Sequence, residues 1–173
     1  MSNIVIPFQI LIAMSFVATV ATAIVWDARS FRIPNEISII LVALFVPAAL
    51  AAPAPINWIG HIGIALAVFA AGVALFHFGL FGGGDVKLLS ALSLWMGLSL
   101  TPVFLILVGL LGGLVALLLL TLRWALRPLN ASLAERGQSL PRVLLPNESV
   151  PYGIAIGIAA LMVTPRLPLF FPA

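Results

Sequence analysis

The chain has 173 residues, 63% of them hydrophobic and only 8% charged, and its mean hydropathy of +1.26 is more than one soluble core of this size can hide. Cysteine is absent, which excludes disulfides, thiolate catalysis and cysteine-ligated zinc or iron–sulfur centres. The net charge of +3 reflects where a few cations fall along the chain and lends no support to nucleic-acid binding.

Apolar runs occupy about residues 4–26, 37–52, 57–81, 86–100, 102–122 and 150–171, most of them long enough to cross ~30 Å of hydrocarbon as helices. They predict an all-α polytopic membrane protein of about six transmembrane helices, folded as a single membrane-embedded domain over 1–173. The first run ends in an "ATA" that mimics a signal-peptide cleavage site, but no basic residue precedes it, so it reads as a retained helix. After it, "VWDARSFRIPNE" places Trp26 and two arginines at an interface; Pro34 ends one helix and Asn35 is positioned to cap the next. Trp58 opens the third span, which leads to the glycine cluster Gly82, Gly83 and Gly84. The fourth span ends at a turn in "SLTP", and glycines 109, 112 and 113 of the fifth suit close helix packing. Residues 123–149 form the one extended polar stretch, a loop with a short surface helix near "LNASLAERG". Arg29, Arg32, Lys87, Arg123, Arg127, Arg136 and Arg142 fall in or beside alternate inter-span segments. The positive-inside rule makes that side cytoplasmic and leaves both termini outside.

Chemistry is confined to few residues. Of the five acids, Glu36 suits the first turn of the second helix, and Glu135 and Glu148 belong to the polar loop. Asp27 and Asp85 abut apolar spans on the expected cytoplasmic side. Three successive glycines make poor helix, and loose backbone at membrane depth survives only against protein or a water-filled recess; Asp85 is therefore expected at the lip of such a recess. Its natural partner is Asp27, at similar depth if the first and fourth spans meet. Two carboxylates that close do not both ionise readily, so one keeps a proton while the other acts as base, an arrangement suited to activating water against an amide. Lys87 reads as a topology marker, and His61 and His77 as packed or interfacial side chains. The glycines lack the spacing of a phosphate loop. A proton- or cation-coupled carrier using both aspartates as relays is the alternative reading; it would be expected to show related halves, and no repeat is visible. A non-catalytic scaffold would not require both acids.

Gly82-Gly83-Gly84-Asp85 forms G-x-G-D, and "GGGDVKLLSALSLWMG" resembles the second catalytic motif of the type IV prepilin peptidases, membrane aspartic proteases of the G-x-G-D class. "WDARSFRIPNEIS" resembles their first motif, and "VPYGIAIGIAA" their final span. The resemblance implies that Asp27 and Asp85 are the catalytic pair, with Gly82, Gly83, Gly84, Lys87, Pro34, Asn35, Pro151, Tyr152 and Gly153 in support. It implies cleavage of the leader of prepilins or pseudopilins, ahead of their hydrophobic helix, at the cytoplasmic face of the bacterial inner membrane, beside pilus-assembly machinery. No metal or organic cofactor is implied. The larger members carry a cysteine-containing domain and methylate the new N-terminus; this cysteine-free chain resembles the short forms of Flp-type (Tad) systems, for which hydrolysis alone is expected.

Overall fold

The computed structural model describes residues 2–135, 137, 138, 140–145 and 148–170; Arg136, counted above among the cytoplasmic cations, lies outside them. The helices are α1 (Ser2–Ser30), α2 (Asn35–Leu50), α3 (Trp58–His77), α4 (Gly83–Ala125), α5 (Arg127–Glu135) and α6 (Tyr152–Val163), with 3-10 turns at Arg142–Leu144 and Thr164–Arg166. No strand occurs among the described residues. Pro7–Ser30, Trp58–His77 and Gly83–Ala125 are long and apolar enough to cross a membrane, and Asn35–Leu50 and Tyr152–Arg166 are shorter apolar helices. Large apolar side chains such as Ile10, Leu66, Leu110 and Leu117 point outward while the interior is apolar too, as in a chain solvated by lipid. The fold is an all-α polytopic membrane protein, as composition predicts.

Forty-three residues of straight helix would extend about 64 Å, yet α4 does not. Arg123, near its end, donates to the carbonyls of Glu148 and Ser149, and Ser149 lines the same cavity as Gly83 at its start. The chain therefore doubles back, and it does so at Gly97, whose φ of 62° and ψ of −173° suit glycine alone. The turn expected at "SLTP" is thus displaced: Thr101 already lies in the helix after the reversal and donates to Gly97 O at 2.6 Å. Packing decides the position. His61 of α3 presses on Gly97, where a Cβ would meet its ring at 2.7 Å.

Three smaller expectations are also corrected. Asn35 does not cap α2; Pro34 holds the cap position with no side-chain hydrogen bond, and Asn35 is the first helical residue. The last span is a helix of only 12 residues, because Pro165 turns the chain and sends Leu167 and Leu169 back into the core. Of the three glycines in the second limb of α4, only Gly112 packs closely, against Tyr152 and Ala155, whereas Gly109 and Gly113 face open space. The short surface helix is present as α5.

The core centres on Trp95. It is fully buried, donates from Nε1 to Leu41 O at 2.9 Å, and stacks its ring among Phe16, Phe45 and Phe170 at centroid distances of 4.5 to 5.8 Å. α1 packs its backbone against α2 and α6, and α4 packs against α2, α3 and α6. The first and fourth spans consequently meet only through side chains, with α2 and α6 bracketing the space between them. That arrangement brings the ends of α1, α4 and α6 to one cavity.

Candidate active site

Asp27 lies in the last turns of α1 and is 3% exposed. Three residues on, the helix ends: Phe31 N donates to Asp27 O, and Phe31 takes a φ of 55°, an unusual left-handed cap for a bulky side chain. The Asp27 carboxylate points at the start of α6, where Oδ2 accepts from Ile154 N at 3.3 Å. Pro151 supplies no side-chain cap, so an acid from another helix faces the free amides of this terminus. Gly153 makes the approach possible: a Cβ there would lie 2.8 Å from Asp27 Oδ2 and 2.6 Å from Ile33 Cδ1.

Asp85 sits in the first turn of α4. Gly82 occupies the cap position in an extended conformation, and Gly83 and Gly84 are helical, although three successive glycines make poor helix. A helix can begin on glycine because its first residues carry few of its hydrogen bonds. Here the missing side chains are needed. A Cβ on Gly82 would lie 2.7 Å from Asp85 Oδ2, and one on Gly84 would lie 3.2 Å from the Ile33 carbonyl oxygen. The backbone admitted by Gly84 is therefore the chain's own α1–α2 connection.

The two acids face one cavity of about 540 Å³. Its walls come from Phe31 to Ile33, from Gly79 to Asp85, and from Ser149, Val150 and Tyr152. Phe81 stacks on Tyr152 with ring centroids 5.6 Å apart, tying the approach to α4 to the start of α6. Of the residues singled out beside the acids, Gly82, Gly83, Gly84 and Tyr152 line the cavity. Gly153 and Pro151 act from behind it, at the start of α6. Lys87 and Asn35 hydrogen-bond to each other at 2.8 Å and line a separate groove; Pro34 starts α2 and does not line the cavity.

Sequence reasoning missed one structural residue here. Arg123, read as a topology marker, is buried, and its guanidinium donates to Val143 O at 2.9 and 3.1 Å, to Glu148 O at 2.8 Å and to Ser149 O at 3.3 Å. It fixes the segment that supplies the Ser149 and Val150 wall. An arginine at the end of an apolar run carries no signal in sequence that distinguishes this task from simple anchoring. Arg142 covers the outer side: its guanidinium stands 5.1 Å over the Phe31 ring and its Nε donates to Glu148 Oε1 at 2.8 Å. That hydrogen bond holds the Glu148 carboxyl below its ordinary range. His61 is a core histidine as expected, with Nδ1 2.7 Å from Leu94 O.

With two buried-end carboxylates brought by separate helices to one cavity, the relation to known proteins becomes informative. The family model of the type IV leader peptidases matches residues 8–117. The chain belongs to that family. No curated protein and no solved structure matches it. The matched range contains both aspartates and the glycine cluster, while α6, whose amide faces Asp27, lies beyond it. A leader peptidase is a hydrolase acting on membrane-associated precursors, and the apolar helices place this one in the membrane.

Proposed function

We propose that the chain is a membrane aspartic endopeptidase in which Asp27 and Asp85 hydrolyse the peptide bond between leader and hydrophobic helix of type IV prepilins or pseudopilins of the Flp type. One observation carries the reading: two acids, from the end of α1 and the start of α4, face a single cavity at the ends of apolar helices. Membership of the leader peptidase family supports it. The substrate is a leader followed by an apolar helix, the setting is the bacterial inner membrane, and pilus-assembly components are the expected neighbours. The distribution of cations supports a cytoplasmic cavity and periplasmic termini. Absence of cysteine favours hydrolysis without N-methylation.

In this mechanism the protonated carboxyl of the pair hydrogen-bonds to the scissile carbonyl oxygen while the ionised one removes a proton from water. Water oxygen attacks the carbonyl carbon, the first carboxyl passes its proton to the oxygen, and a tetrahedral diol forms. The newly protonated carboxyl then gives its proton to the amide nitrogen. The carbon–nitrogen bond breaks, and the other carboxyl recovers a proton from the diol. The two acids titrate as a unit, so the proton belongs to the pair. Gly153 leaves room for the Asp27 carboxyl, and Gly82 for that of Asp85.

Co-expression with a prepilin of this type, followed by gel mobility, tests the reading. Leader removal by the native chain and its loss in well-expressed Asp27→Asn and Asp85→Asn variants are the expected results. Near-native processing by either variant would sink the aspartic assignment.

A further inference from the structure

A second cavity, an open groove of about 650 Å³, lies between α2, α3 and the first limb of α4 and shares no lining residue with the aspartate cavity. It grades from polar to apolar along its length. At one end stand Lys87 of α4 and Asn35 of α2, with Ser90 and Ser38 one turn further along the same helices; beyond them the walls are apolar, with Val42, Leu66 and Leu94. Along α2, from Asn35 to Ala43, the groove extends about 12 Å. That is close to half of a ~30 Å hydrocarbon core, the depth of one leaflet, and too short for a helix that crosses the membrane.

The polar end is equipped for an anion. Lys87 Nζ gives one of its three N–H groups to Asn35 Oδ1 at 2.8 Å and pairs with no acid among the described residues. Its other two N–H groups and the Asn35 amide form an exposed, positively charged cluster of donors. One turn deeper, Ser38 lines the groove and is 8% exposed, and its hydroxyl has no hydrogen-bond partner among the described residues. Ser90, also in the wall, satisfies its own hydroxyl on Val86 O at 2.7 Å. A buried hydroxyl left without a partner is costly, and more so away from water.

We propose that this groove binds a phospholipid with an anionic headgroup: phosphate on Lys87 and Asn35, an ester carbonyl at the level of Ser38, and one acyl chain along the apolar walls. The order of the three environments carries the assignment, because phosphate, ester and hydrocarbon follow one another in the same order in the ligand. An ammonium holds phosphate as a point charge, and a net negative headgroup is attracted to it where a zwitterionic one is not. A polypeptide helix fits less well: its backbone carbonyls are already bonded within the helix, so it brings no acceptor to Ser38. Bound there, the lipid joins α2 to α4 two residues after Asp85, from outside the aspartate cavity.

Native mass spectrometry of the purified chain in detergent, titrated with phosphatidylglycerol or with phosphatidylcholine of the same acyl chains, tests the site. The native chain should retain one phosphatidylglycerol at a concentration about five- to tenfold lower than it needs for phosphatidylcholine. Lys87→Gln should abolish that preference, and Lys87→Arg should keep it. Val42→Trp, at an exposed position in the apolar wall, should weaken both lipids about tenfold by filling the groove, while Ile40→Trp, equally exposed on α2 but outside the groove, should weaken neither. Glycerol phosphate, which has the anion without the chains, should not compete. Equal retention of the two lipids by the native chain, a preference that survives Lys87→Gln, or unchanged binding in Val42→Trp would each overturn the assignment. Competition by glycerol phosphate would leave only a phosphate site, and displacement of the lipid by a synthetic apolar helix would give the groove to a polypeptide; either result also overturns it.

Discussion

The two ends of the first limb of α4 use the same materials differently. At one end Gly97, His61 and Thr101 pack together: the histidine bonds to Leu94 O at 2.7 Å and the threonine to Gly97 O at 2.6 Å. At the other, glycines again admit close neighbours, but Asp27 accepts a long hydrogen bond of 3.3 Å from Ile154 N and shares a cavity with Asp85. Both ends need glycine for close approach. Only one leaves strongly polar groups facing space in which another molecule can sit. Polar groups satisfied by their own chain build structure, while acids held in place but short of partners are available for chemistry.

The largest expected effect separates the ends by chemistry. Asp27→Asn and Asp85→Asn should each lower leader cleavage at least about 100-fold, because each removes an acid–base group while keeping size and polarity. The double variant should be no worse than either alone, since the two act as a unit. His61→Gln should leave kcat within about twofold. Single-turnover assays on purified protein would check this, and a comparable loss of kcat in His61→Gln would erase the contrast.

Glycine substitutions sharpen it next. Gly153→Ala brings a Cβ to 2.8 Å from Asp27 Oδ2, so kcat should fall about tenfold by displacing the acid, with little loss of folded protein. Gly97→Ala meets both a positive φ and the His61 ring, so stability should fall by about 1–3 kcal/mol while each folded molecule retains its kcat. Thermal unfolding in detergent beside kcat separates the two outcomes.

Arg123→Lys should have a smaller effect on activity. Lysine keeps the charge but cannot serve the Val143, Glu148 and Ser149 carbonyls in one planar fork, so the Ser149–Val150 wall loosens. Cleavage should drop severalfold, with increased proteolytic nicking between residues 140 and 150. Unchanged nicking and activity would show that the wall does not depend on this guanidinium.

Legibility in sequence followed the range of the forces involved. The apolar runs were readable because lipid solvation acts on each stretch independently. Asp27 and Asp85 stood out because acids beside such runs are costly. The reversal at Gly97 was misplaced to a proline four residues after the start of the new limb, because what selects Gly97 is a histidine 36 residues earlier in the chain. Likewise, Asn35 looked like a cap, but its side-chain Oδ1 accepts from Lys87 Nζ of another helix. Local rules identify a residue that can do a task; tertiary contacts decide whether it does.

The smallest effect is expected on the outer side of the cavity, at the exposed pair Arg142 and Glu148. Exposed pairs contribute little, so Glu148→Gln should barely change unfolding at neutral pH. Its sign is nevertheless fixed. The Arg142 hydrogen bond lowers the folded Glu148 carboxyl below its ordinary 4.5, so the pair's contribution is present above that value and lost as pH falls through the lower, folded one. The small difference between native and Glu148→Gln melting curves should therefore close on acidification. A difference that widened in acid would mean that Glu148 acts through its protonated form. The exposed pair would then share the proton-dependent chemistry that distinguishes the aspartate end from the packed His61 end.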